Sequence, residues 1–127
     1  MKRDTTTEDI IIEALIYIEW HIQEGIKPTD ISKEMNCPYQ SFKQIFNDIT
    51  GLKLPVYLRL RTLIEAKKEW NMNESIEQIA IKYNLPPESL IRSFKKEFGY
   101  SFFDKEARPT YSKLIGKELI EAISNAA

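Results

Sequence analysis

Two stretches of the chain hold polar side chains at a spacing that could do chemistry. Between positions 39 and 50, Phe42, Phe46 and Ile49 fall on one helical face and leave Tyr39, Gln40, Lys43, Gln44 and Asn47 on another. A glutamine amide accepts and donates in one plane, so Gln40 or Gln44 could match adenine N6 and N7, and Lys43 could donate to guanine O6 and N7. Asn47 and Tyr39 are candidate backbone contacts, with a packing role the competing reading for Tyr39. Between 87 and 98, Leu90, Phe94 and Phe98 point inward and leave Glu88, Ser89, Arg92, Ser93, Lys95 and Lys96 available. Arg92 is the strongest candidate there for a base or phosphate contact. Ser89 and Ser93 are candidate phosphate donors, and Lys95 and Lys96 candidate electrostatic anchors. Glu88 reads as a favourable charge at a helix N-terminus, with a contact to cytosine the competing reading. For each face the competing reading is an ordinary solvated helix surface.

Other chemistry finds little support. The chain contains one Cys and one His, so it can form no intrachain disulfide and fill no Cys/His zinc site. No activated nucleophile, paired-acid spacing or phosphate loop occurs, and no catalytic residue, metal or cofactor is expected. His21 reads as a helix-surface residue and Cys37 as turn packing. No apolar run approaches the roughly 20 residues that cross a bilayer, and the charged, Thr-rich start has no signal-peptide core. A soluble, cytoplasmic protein without a membrane partner is expected.

With 127 residues the chain suits one domain, or two very small units on a rigid connector. Eighteen basic side chains face 19 acidic ones, a net charge of −1, which argues mildly against a polyanionic partner. The uneven distribution of charge weakens that objection. Residues 1–30 carry three basic and seven acidic side chains, whereas residues 31–70 carry seven and four. A near-neutral chain can present a positive face when its acids lie on the back.

The elements that must position these residues read as helices. Ile11, Leu15, Ile18 and Ile22 form an apolar stripe, with Thr5 and Glu8 as a capping box and Gly25 as the stop. A short helix runs from about Pro28 to Met35, and Asn36-Cys37-Pro38 breaks it before a helix ending at Gly51. From Pro55 to about Asn71 an uninterrupted helix spans roughly 25 Å. The second half repeats the first: a Ser75/Gln78 capping box, a short helix to about Tyr83, a break at Asn84-Leu85-Pro86, and a longer helix to Phe98 stopped by Gly99. Residues Tyr111 to Ala127 form a weaker helix, packed on the second half or frayed. Trp20 and Trp70 are expected in the core or at a seam. Arg59 and Arg61, two apart, cannot share a helix face; Arg61 is expected to be held by an acid or a phosphate, and Arg59 to be solvated.

These residues resemble a known family. The run Ile31 to Arg61, with Phe42-Lys43-Gln44-Ile45-Phe46, Thr50-Gly51 and Tyr57-Leu58-Arg59-Leu60-Arg61, resembles the first half of the AraC/XylS DNA-binding domain. Ile76 to Tyr83, followed by Leu90-Ile91-Arg92-Ser93-Phe94-Lys95-Lys96-Glu97-Phe98-Gly99-Tyr100-Ser101, resembles the second half. The likeness covers about residues 8 to 105. The short layout is similar to the MarA, SoxS and Rob group, which bind DNA as monomers. Only a few residues precede the first helix, so a stand-alone regulator or an excised fragment is expected. Three features depart from the pattern: a second turn one residue shorter than usual with Asn84 in place of Gly, Glu88 near the second recognition helix, and Phe102-Phe103-Asp104-Lys105 in place of a Pro-containing ending.

The resemblance implies an all-α fold: a helix-turn-helix subdomain over residues 8–53, a connecting helix over 54–72, a second helix-turn-helix subdomain over 73–106, and a C-terminal helical extension over 107–127. It places Gln40, Lys43 and Gln44 at groove-facing positions and implies double-stranded DNA as partner, read by two helices in adjacent major grooves. Activation, contact with RNA polymerase, monomeric binding and a bacterial, nucleoid-associated location are implied in the same way. The alternative is a helical protein-interaction module on the same scaffold that has lost DNA binding.

Overall fold

A computed structural model describes residues 6–106 and 113–126. Among these described residues seven α-helices follow one another: α1 (Thr7–His21), α2 (Pro28–Glu34), α3 (Tyr39–Thr50), α4 (Leu54–Asn71), α5 (Ile76–Lys82), α6 (Pro87–Phe98) and α7 (Lys117–Ala126). No strand occurs among the described residues.

The local chemistry accounts for most boundaries. The capping box of α1 lies one residue later than expected: Thr6 Oγ1 accepts the Asp9 N–H at 3.1 Å, and the Asp9 carboxylate accepts the Thr6 N–H at 3.4 Å. With Thr6 as the N-cap, the residue three positions on is Asp9 rather than Glu8, and Thr5 lies outside the described residues. The α-helix ends at His21, and a single 3-10 turn, Ile22–Glu24, carries the chain to Gly25. Ser75 caps α5 on one side only, its hydroxyl accepting the Gln78 N–H at 3.1 Å. Both α3 and α6 stop at a glycine with positive φ, Gly51 at 76° and Gly99 at 81°, a conformation open to a residue without Cβ.

Two apolar clusters form along the α4 rod. Ile11, Leu15, Ile18, Ile31, Phe42 and Phe46 pack with Leu54, Tyr57 and Leu58 at its N-terminal end. Ile79, Tyr83, Leu90, Phe94 and Phe102 pack with Leu63 and Ala66 further along. Phe94 and Phe102 meet edge to face at 5.3 Å between ring centres, and Trp70 covers them from the side.

Three expectations need correction. Helix α7 begins at Lys117 rather than Tyr111, and it packs on α1, burying Leu119 and Ile123 in the first cluster instead of joining the second half. The stretch 107–112 and Ala127 fall outside the described residues. Trp20 is 79% exposed, because it projects from the pole of α1 opposite the Ile11–Leu15–Ile18 stripe; Trp70 packs on the second cluster. Arg59 is not simply solvated: it donates to Glu97 of α6 at 2.8 Å. Cys37 packs against the first cluster.

Candidate nucleic-acid interface

The two helix pairs, α2–α3 and α5–α6, repeat each other residue for residue. Each connecting turn has four residues, Met35–Pro38 and Tyr83–Pro86. In the first, Asn36 sits at φ 54° while the Cys37 N–H reaches Ser32 O and the Asn36 N–H reaches Lys33 O. In the second, Asn84 sits at φ 56° while Leu85 N–H reaches Ala80 O and Asn84 N–H reaches Ile81 O. These are the paired bonds of a Schellman ending, with asparagine in the left-handed position usually held by glycine. Within this chain the second turn is therefore no shorter than the first. Pro38 and Pro86 then stand at the N-cap of the next helix, outside its ladder of hydrogen bonds, where a missing N–H costs little.

From Tyr39 and Gly51 to Pro87 and Gly99 the shift is 48 positions. Phe42 and Phe46 thus correspond to Leu90 and Phe94, all buried. On the opposite pole of α3 stand Gln40, Gln44 and Asn47, at a spacing of four and three and all exposed. Glu88, Arg92 and Lys95 hold the matching places on α6 and are exposed too. Lys43 lies to one side of the α3 face, its ammonium 5.6 Å from the centre of the half-buried Tyr39 ring. Lys96 is exposed beside Lys95. Ser89 and Ser93 are half-buried and line a groove of about 300 Å³ between Ile26–Pro28 and the α4 residues Pro55, Leu58 and Arg59.

The polar surroundings of the two faces differ. Gln44 Nε2 donates to Asp48 Oδ1 at 2.9 Å. Asp48 was not among the residues expected at this face, although its i, i+4 spacing from Gln44 makes it a neighbour one helical turn away. On α6 the corresponding pair is Arg92 and Lys96, two cations. The carboxylate of Glu97, which would oppose a polyanion, is compensated by Arg59.

Buried charges on α4 hold the scaffold behind these faces. Arg61, almost fully buried, donates Nε to Glu19 Oε2 at 2.7 Å, Nη2 to Glu19 Oε1 at 2.6 Å and Nη2 to Glu65 Oε2 at 3.0 Å. Burial works against that charge, but the two carboxylates outweigh it and raise the guanidinium pKa above its usual value. Arg61 is thus occupied by acids. Lys67 is buried completely, with Nζ donating to the carbonyls of Phe102 and Asp104 and lying 4.6 Å from the Trp70 ring centre. Its place in the core was not legible, since a lysine at a helix end ordinarily reads as solvated. Lys82 pairs with Glu69 at 2.6 Å and ties α5 to α4.

An all-α chain with two repeated helix–turn–helix pairs strung on one long helix, each offering a polar outer face, defines the helix-turn-helix class. No family model matches the chain. It is 31% identical over 102 residues to the HTH-type transcriptional activator AarP of Providencia stuartii, covering 79% of this chain and 76% of that protein. Over 95 residues it is 33% identical to the probable transcription factor PqrA of Proteus vulgaris, covering 72% and 78%. The Tn10 TetD protein of Escherichia coli is 27% identical over 103 residues, covering 80% and 70%. The chain belongs to the AraC/XylS family of transcription regulators. Among its described residues no helix is long and apolar enough to cross a membrane.

Proposed function

We propose that this protein is a sequence-specific double-stranded DNA-binding regulator of transcription, acting as an activator in the cytoplasm and carrying no enzymatic step. Residues 8–53 and 73–106 are its two reading units and 54–72 the rod between them. The observation that carries this reading is the 48-position repeat of a helix pair whose second member buries its aromatic side and exposes a polar one. Gln40, Lys43 and Gln44 supply base contacts from α3, with Tyr39 and Asn47 beside them at the backbone. Arg92 serves α6, flanked by Ser89, Ser93, Lys95 and Lys96 as phosphate partners. The protein binds as a monomer, and contact with RNA polymerase follows from activation. The similarity to AarP, a transcriptional activator, supports the same direction.

Selection of bound duplexes from a random pool, followed by titration across salt concentrations, tests this reading. A defined site and a log K that falls steeply with log salt are expected. Gln44→Ala should weaken the selected site by roughly 1 to 3 kcal/mol, whereas Lys95→Ala should weaken all sequences alike. A second reading, a protein-interaction module, is favoured by Ile16 and Trp20, 42% and 79% exposed on the acidic helix α1. Failure of the chain to bind duplex even at low salt would select it.

A further inference from the structure

We propose that Asp48 is a positioning residue that sets the base preference of Gln44, favouring adenine over guanine. The inference rests on the reading of α3 as a base-contacting helix. A carboxylate accepts hydrogen bonds and donates none, so the 2.9 Å contact with Asp48 leaves Gln44 one arrangement: Nε2 toward the carboxylate, Oε1 free. One of the two amide N–H bonds is consumed.

What remains is one acceptor and one donor, side by side. Adenine offers the complement, an N6 donor and an N7 acceptor, and both can be satisfied. Guanine offers two acceptors, O6 and N7, and a glutamine with a single N–H left can serve only one of them. Cytosine gains only the bond from N4 to Oε1. Donation to a carboxylate also raises the electron density of the amide, which strengthens Oε1 as acceptor and favours the adenine N6 donor further.

The balance of charge points the same way. Asp48 is exposed on the same helix as the proposed contacts, and it takes part in none of the ion pairs among the described residues. An unneutralised carboxylate close to phosphates lowers affinity for every sequence. Its effect on Gln44 is a gain in discrimination that accompanies this loss, so removing the charge should move the two quantities in opposite directions.

Selection with the full chain and with Gln44→Ala identifies the base pair whose preference depends on Gln44. Duplexes carrying each alternative at that position are then titrated with the wild type, Asp48→Asn and Asp48→Ala, with helix content checked by circular dichroism. The wild type should prefer adenine. In Asp48→Asn, whose amide can accept or donate, the adenine-to-guanine affinity ratio should fall at least about fivefold, while affinity for random duplex rises. An unchanged ratio in both Asp48 variants, or a wild-type preference for guanine, overturns the inference and leaves the DNA-binding reading standing. If Gln44→Ala relaxes no position, the role given to Gln44 fails and the inference falls with it.

Discussion

The guanidinium of Arg61 meets the carboxylate of Glu19 side on, through two hydrogen bonds of 2.6 and 2.7 Å that join α4 to α1. Glu65 adds a third bond from within α4. A planar fork on a planar carboxylate is the strongest arrangement available to such a pair, and here it fixes the rod against the first helix.

Glu19→Gln should lower stability by about 1.5 to 3 kcal/mol, the range for hydrogen bonds to charged groups, with Glu65 still compensating Arg61. The urea midpoint at neutral pH measures it. Burial pushes the Glu65 carboxyl up, but Arg61 and Lys68 outweigh it and hold its pKa below the usual 4.5. The unfolded chain therefore binds the proton first as pH falls. This stabilisation is present above pH 4.5 and is lost as pH drops through the lower folded value. Glu65→Gln should flatten that part of the acid limb.

Tyr57 gives a counterpart at high pH. Its hydroxyl accepts the Gly116 N–H at 2.9 Å, and burial, with the nearby Glu19 charge, pushes its pKa up to about 12. The unfolded tyrosine ionises near its ordinary value of 10.0, so stability should decline between there and about 12 as pH rises. Tyr57→Phe should reduce this alkaline slope and cost about 1 to 3 kcal/mol at neutral pH by stranding the Gly116 N–H. Tyrosinate absorbance during alkaline titration, alongside urea melts, checks both.

Leu119→Ala or Ile123→Ala should each destabilise the protein by about 2 to 4 kcal/mol, because both side chains are buried in the cluster that contains Ile11 and Phe42. Each variant should weaken protection of α1 amides in hydrogen exchange more than that of α5 and α6. Equal loss along the chain would show that the two clusters melt together.

The turns predict different outcomes for two substitutions at each site. Asn36→Ala and Asn84→Ala place at φ 54° and 56° a residue that tolerates the left-handed region less well than asparagine, at a cost of about 1 to 2 kcal/mol. Asn36→Gly and Asn84→Gly should be neutral or slightly stabilising, since glycine adopts this conformation freely. Thermal midpoints of the four variants decide it.

The pattern of breakers and apolar spacing was enough to locate every helix from α1 to α6 within a few residues, because Gly51, Gly99, Pro38 and Pro86 act through backbone conformation alone. The buried faces followed from the same logic: Phe42 and Phe46, Leu90 and Phe94 are inward by 3.6-residue periodicity. The outer faces were legible as a remainder, and the Gln44–Asp48 bond lies within one helix, so its i, i+4 spacing was visible in the chain as well.

What the sequence alone determined is therefore what depends on neighbours within a turn or two of the chain: the approximate limits of α1 to α6, the breaks at Asn36 and Asn84, and which side of α3 and α6 is apolar. The tertiary structure alone decided the rest, because it turns on contacts between residues dozens of positions apart. Arg59, still exposed, found Glu97, Lys67 entered the core to meet the carbonyls of Phe102 and Asp104, Trp20 was left outside, and α7 returned to α1. A side chain's type sets its hydrogen-bonding capacity and apolar area, but which partner satisfies them depends on which distant segment the packing brings within reach.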